Sequence, residues 1–418
     1  MKKAAAPRPA SMTGRLAALG LLLLAGVGGV LCVHARWLAE GPRDARFVRF
    51  LRRHGRRNAR EVIPDPGVAV DRRGAPLDIA APGSLFQRVI DARALASAAG
   101  EVRLSVDGAL QAAAEAAMRG KRGAVVALEP ATGRIRALVS APRAAGVNRA
   151  LDGLYPPGST FKVFMAAAAL SSGLDPVYAC PAGGFRSAPS TPAIRDVEAR
   201  RVRGWRGFGR IGMGKALMHS SNVYFAQLGV ALGPQAFGRA AERAKLREPA
   251  VVLPSDDVAL ASAGGGVPDG LRAPQLAPVA IGQGALLLTP LAVTMITAAV
   301  ADDGLMLAPT LSETAKPELR ARAFDFAAAV RVRTMMRAAV RDGTGRACDV
   351  AGLDVCGKTG TAETGRGRDH AWFTCFAPEK TPRLAVTVLV ENGGFGAAAA
   401  LPVARAVLLA AREEGYFE

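Results

Sequence analysis

Tyr155-Pro156-Pro157-Gly158-Ser159-Thr160-Phe161-Lys162-Val163-Phe164 is a chain break followed at once by a helix start. Two prolines and a glycine do not continue a regular element. Residues 161–170 are then almost continuously apolar over a helix length. The break puts Ser159 in the first turn, where free N–H groups and the helix dipole favour developing negative charge. Lys162, three residues on, shares a helix face with Ser159. Its apolar neighbours Phe161, Val163 and Phe164 predict a buried amine that gives up its proton easily. A neutral lysine beside a serine hydroxyl is a nucleophile–base pair that needs no histidine. Alone, Ser-x-x-Lys equally fits a helix cap with a surface lysine, so its meaning depends on what else the chain carries.

Outward from this point the pattern is that of a packed α/β domain. Residues 105–118 have helical spacing. Residues 123–141 read as a hairpin, apolar on both sides of a turn at Pro130-Ala131-Thr132-Gly133. Thr289-Pro290 opens an apolar helix to about residue 301. Residues 353–361, 371–376 and 384–390 are strand-like, and an Ala/Leu-rich helix spans about 397–412. Two early strands, central helices, three late strands and a closing helix predict a sheet whose strands come from both ends of the domain.

Two further motifs carry chemistry. Ser220-Ser221-Asn222, with helical pattern on either side, places a hydroxyl and an amide in a loop between helices, where both can face a cleft; a plain helix cap fits too. Lys358-Thr359-Gly360-Thr361 ends the strand-like run 353–361. Lys358 and Gly360 would share a side of that strand, the glycine leaving room for a bound acyl-peptide to lie against the backbone. Lys358 and Thr359 offer a cation and a hydroxyl to a carboxylate, and the Thr361 and Ser159 N–H groups suit an oxyanion hole.

Composition bounds the rest. The chain has 418 residues, half of them hydrophobic, which excludes global disorder. Aromatics are 5%, so the core is built from Ala, Val and Leu. The formal charge is +19, but the excess is spread-out arginine in an Ala/Gly-rich chain and reads as compositional bias; no nucleic-acid partner is expected. Five cysteines and four histidines without metal-ligand spacing exclude a structural zinc site, and no G-x-S-x-G elbow supports a Ser-His-Asp hydrolase. Lys2, Lys3, Arg8 and Arg15 precede an uncharged run at residues 16–33, which predicts a cytoplasmic tail (1–14), an uncleaved membrane signal-anchor (15–34) and an exported remainder. The arginine-dense stretch 36–60 suits a juxtamembrane helix or tether. Export permits a disulfide, and Cys356 and Cys375 could face each other on adjacent strands, with Cys348 close by; buried free thiols are the favoured state.

In the order S-x-x-K, S-x-N, K-T-G, the chain resembles the penicillin-binding protein transpeptidases, within the serine family that includes serine β-lactamases. The likeness extends to residues 102–107 and 123–133, Asn148-Arg149-Ala150, Ile281-Gly282-Gln283-Gly284, Leu288-Thr289-Pro290, Gly343-Thr344-Gly345 and His370-Ala371-Trp372-Phe373, covering about 102–412. It implies an α+β fold: a five-stranded antiparallel sheet flanked by helices plus an all-helical subdomain, preceded here by one transmembrane helix, with the site at the junction of the two parts.

The resemblance also implies a mechanism on peptidoglycan stem peptides ending in D-Ala-D-Ala. Ser159 is the nucleophile and Lys162 its general base, and Ser220 with Lys358 relays a proton to the leaving amine. Asn222 holds the substrate amide, Thr359 and Thr361 bind the terminal carboxylate, and Gly360 lines the substrate strand. No cofactor or metal is implied, and β-lactams are expected inhibitors. A single anchor before a transpeptidase domain (102–418) is similar to the monofunctional class B proteins, but the linker at 35–101 is shorter than their pedestal, of which residues 71–77 keep a trace. The short linker bears on any division or elongation role and on docking to a SEDS-type glycan polymerase.

A D,D-carboxypeptidase, differing only in using water as acceptor, is the main alternative. A class A β-lactamase would need Glu-Pro-x-Leu-Asn, and Glu248-Pro249-Ala250-Val251-Val252 lacks the Leu-Asn. Class D enzymes resemble the Ser-Thr-Phe-Lys but usually lack an asparagine where Asn222 stands. A β-lactam sensor would need signalling machinery that the short N-terminal tail does not supply.

Overall fold

The structure, a computed structural model, describes residues 69–77, 102–142, 148–253, 260–365 and 367–418. The expected anchor at 15–34 and the basic stretch at 36–60 lie outside them. Among the described residues no helix is long and apolar enough to cross a membrane.

Gly123–Leu128 (β1) and Ile135–Ala141 (β2) form the expected hairpin. Cys356–Ala362 (β3), His370–Ala377 (β4) and Leu384–Val390 (β5) complete one antiparallel sheet in the order β3-β4-β5-β1-β2. The late strands thus dock on the early hairpin through β5 and β1, with Val388 opposite Val125. Every residue of β5 and of β1 is buried, which explains their unbroken apolar runs: both faces of the sheet are covered, so alternation is lost.

One face packs against Gly108–Ala117 (α1) and Leu401–Glu413 (α7). The other meets the helical part: Lys162–Ser171 (α2), Met213–His219 (α3), Asn222–Arg243 (α4), Pro290–Ala301 (α5) and Phe326–Arg341 (α6). Helix α1 starts later than its apolar spacing suggests because Asp107 caps it, accepting from the N–H groups of Ala109 and Leu110 at 3.0 and 3.1 Å. Helices α2 and α5 are buried almost all round, so they form the centre rather than a surface layer. Upstream, Ala69–Val70 pairs in parallel with Val102–Arg103, and Asp71 accepts from the Gly108 N–H at 3.2 Å, tying this remnant of the linker to the start of α1.

The thiols depart from one expectation. In register Gly357 lies opposite Cys375 and Cys356 opposite Phe376, so Cys356 and Cys375 point to opposite faces of the sheet and do not face each other. Cys375 instead lies against Cys348 in the core beneath α7, and Cys180, Cys348, Cys356 and Cys375 are buried free thiols.

Candidate active site

The break read from the sequence becomes a tight 3-10 turn, Gly158–Phe161, feeding α2. Its position is fixed by backbone packed on backbone. Gly158 has φ +54°, and a Cβ there would lie 2.5 Å from the Thr361 carbonyl oxygen of β3. Gly282 has φ +75°, and a Cβ there would lie 2.0 Å from the Gly158 oxygen. The Gly158 N–H donates to the Gly282 oxygen at 2.9 Å. The turn carrying Ser159 is therefore held between the edge strand and the loop at 281–284, an approach only glycines permit. Trp372 donates its indole N–H to the Pro156 carbonyl at 3.1 Å, fixing the segment that leads in.

Lys162 is fully buried at the start of α2. Its amine donates to the Ser220 carbonyl and the Asn222 Oδ1, both at 2.6 Å, with the Ser220 hydroxyl at 3.4 Å. Burial pushes its pKa down to about 7, against the opposing pull of Asp196 and Glu198. Lys358, on β3, is also fully buried; burial and the neighbouring Lys162 push it well below the ordinary lysine range. It donates to the Ser220 hydroxyl at 2.7 Å and the Thr359 carbonyl at 2.9 Å. The Ser159 hydroxyl, half-buried, makes no hydrogen bond within the described residues, and catalytic contacts of this kind often close only with substrate present.

Ser220 is the meeting point of both amines. It ends α3 in the left-handed region, φ 62° and ψ 34°, where the Ser221 N–H returns to the Ala216 carbonyl at 2.8 Å and closes the helix end. Ser221 next caps α4, accepting from the Tyr224 N–H at 3.2 Å, so the cap falls on Ser221 while Ser220 and Asn222 meet the lysine amines. Asp196, 1% exposed, holds the start of α4 directly after this turn. Its carboxylate accepts from the Ser221 hydroxyl at 3.0 Å, from the Asn222 N–H and from the Val223 N–H at 3.1 Å. Sequence reasoning missed it: a single acid in an arginine-rich stretch carries no motif signal, and its role exists only where it meets α4.

On β3 the Thr359 hydroxyl pairs with that of Thr344 at 2.7 Å, which gives Gly343-Thr344-Gly345 a place in the site. Gly360 differs from its expected part. A Cβ there would lie 2.8 Å from the Thr160 methyl and 2.9 Å from the Trp372 Cβ, so its side-chain space is taken by the nucleophile's turn rather than left for a peptide. Thr361 lies on the same strand, opposite Ala371. Because β3 is the sheet edge, its outer N–H and C=O groups can accept an extended peptide as a further strand. The arrangement can thus hold a peptide along β3 while an amine of depressed pKa and a relay hydroxyl stand near a serine.

Residues 123–409 match the family model of the penicillin-binding protein transpeptidase domain. The chain is 34% identical to the peptidoglycan D,D-transpeptidase PbpA of Mycolicibacterium smegmatis, over 70% of this chain and 68% of that one. Among solved structures it is similar to penicillin-binding protein A from M. tuberculosis as a ceftriaxone acyl-enzyme, with a TM-score of 0.67, 28% identity, and coverage of 83% and 90% of the two chains. It is also similar to a chain of a peptidoglycan synthase complex that coordinates polymerization and crosslinking, with a TM-score of 0.62, 28% identity, and coverage of 74% and 62%.

Proposed function

The chain belongs to the penicillin-binding protein transpeptidase family, and from that premise we propose that it is a serine peptidoglycan D,D-transpeptidase acting through Ser159. The observation that supports this most is the meeting of two buried lysine amines on one serine: Lys162 and Lys358 both donate to Ser220, beside the turn that carries Ser159.

In the proposed sequence, the Ser159 Oγ attacks the carbonyl carbon of the penultimate D-Ala, and neutral Lys162 takes its proton. The Ser159 and Thr361 N–H groups hold the oxyanion. Collapse breaks the peptide bond, and the terminal D-Ala leaves as an amine after receiving a proton through Ser220 from the Lys162–Lys358 pair. Asn222 orients the donor amide, and Thr359 and Thr361 bind its terminal carboxylate. The amine of a neighbouring stem peptide then attacks the ester, restoring Ser159 and forming the cross-link. A β-lactam follows the first half only, its opened ring leaving no departing amine. The ceftriaxone acyl-enzyme of the similar M. tuberculosis protein supports that expectation.

Residues 15–34 serve, on this reading, as a single anchor, with 1–14 cytoplasmic, 35–101 a linker and 102–418 the catalytic domain outside the cytoplasmic membrane, periplasmic or extracytoplasmic. A partner glycan polymerase, of SEDS type by the class B likeness, belongs to this reading, and the similar synthase complex supports a polymerizing partner. Incubating the purified protein with a disaccharide-pentapeptide tests the acceptor: cross-linked dimers are expected, and tetrapeptide alone would make it a carboxypeptidase. Fluorescent penicillin should label Ser159, and labelling that persists in Ser159→Ala would refute the assignment.

A further inference from the structure

The segment from Arg195 to Arg210 runs from Asn222 to the flank of β3. At its start the Arg195 carbonyl accepts from the Asn222 side-chain amide at 3.1 Å, and Asp196 caps α4. A few residues on, Arg200 lies 3.4 Å from Glu363, the residue after β3, and the Arg201 guanidinium stands 3.7 Å from the centre of the Phe395 ring. Phe395 precedes Gly396, whose backbone is packed so closely on β3 that a Cβ there would lie 2.4 Å from the Gly360 oxygen. The segment therefore joins the wall that carries Asn222 to the wall that carries Gly360 and Thr361. It then returns through the ribbon of Val177–Pro181 with Gly207–Gly212.

Its charge is one-sided. Arg195, Arg200, Arg201, Arg203, Arg206 and Arg210 are all exposed, while the segment's acids are Glu198 and the buried Asp196. Among the described residues only Arg200 of these six makes a salt bridge, with exposed Glu363. Like charges clustered beside a binding site raise the local concentration of anions and act on association more than on the bound state.

We propose, building on the transpeptidase reading of the cleft, that this arginine strap selects acyl donors carrying a free carboxylate on the side that faces Arg200 and Arg201: peptides with acidic side chains. An anionic membrane is the poorer fit, because Arg200 and Arg201 touch residues of the cleft's own wall rather than standing on a remote face.

The test uses two penicillins that differ by one side-chain carboxylate, benzylpenicillin and carbenicillin. Their acylation rate constants are measured with the full-length protein, with Arg200→Glu/Arg201→Glu and with Arg200→Lys/Arg201→Lys. The carbenicillin-to-benzylpenicillin ratio is expected to fall about fivefold in the glutamate variant, to be largely kept in the lysine variant, and to decline with salt in the parent. A ratio identical in all three proteins overturns the strap's role while leaving the enzyme's intact. Unchanged ratios together with lost binding of the glutamate variant to phosphatidylglycerol vesicles would assign the arginines to lipid instead. If neither penicillin acylates the parent at Ser159, the reading of the cleft falls, and the strap's role with it.

Discussion

Lys162 and Lys358 are equally buried and share the Ser220 hydroxyl, yet their other partners differ, and their expected roles differ accordingly. Lys162 stands one turn from Ser159 and, in the proposed mechanism, accepts its proton; arginine cannot do so at neutral pH. Lys162→Arg should therefore cost acylation about 10²–10⁴-fold or more, whereas Lys358→Arg keeps the charge facing Ser220 and the substrate carboxylate and should retain measurable acylation. Stopped-flow acylation by a reporter penicillin ranks the two, and the reverse ranking would mean the base is misassigned. The depressed pKa of Lys162, about 7, also sets a pH dependence. The working form is the neutral amine, so acylation should climb through pH 7 and level off above it; a flat profile across that range would count against Lys162. Asp196 pulls that pKa upward and also accepts from the Asn222 N–H, holding that residue in place. Asp196→Asn should slow acylation by roughly 10–100-fold and move the inflection to more acidic pH, a shift that misplacement alone would not give.

At the scale of elements, the helix start, the hairpin, α5 and β5 were all legible, because each combines a strong local period with its own breaker or cap. The contact that makes a site of them was not. Gly282 appears in the sequence as one more loop glycine, yet it carries both a left-handed φ and a backbone contact with Gly158. Gly284 has the same φ of +75°, but a Cβ there would meet nothing nearer than Pro278 at 3.7 Å. Gly284→Ala should therefore cost about 1–2 kcal/mol, the left-handed penalty alone. Gly282→Ala should cost clearly more and slow acylation as well, since the turn of Ser159 must move. Urea unfolding of the two variants compares them directly, and equal costs would mean that the close approach is not what holds the turn.

Across the whole molecule, Glu391 ties the end of β5 to the chain leading into Ser159. It accepts from Arg149 at 2.7 Å and the Tyr155 hydroxyl at 2.8 Å on one oxygen, and from Arg122 at 3.2 Å on the other. Burial alone would raise its pKa, but the bonds from Tyr155, Arg149 and Arg122 outweigh that and hold it below the usual carboxylate range. Its contribution is full above the ordinary glutamate pKa and is lost as pH falls through the lowered value. Glu391→Gln should thus lower stability by about 1–3 kcal/mol at pH 7, with the gap from the parent closing below about pH 4. A gap that stays constant with pH in thermal melts would show the carboxylate charge to be irrelevant. The sequence by itself determined the family, the five strands of the main sheet and helices α2, α5 and α7, because these rest on short motifs and local periods. Tertiary structure alone decided that Asp196 holds the start of α4 beside Ser220, that Gly360 makes room for Thr160, that Cys375 meets Cys348 and not Cys356, and that Arg200 and Arg201 reach Glu363 and Phe395. Each of these depends on which distant segments touch, and no local pattern in a chain encodes the partner across a contact.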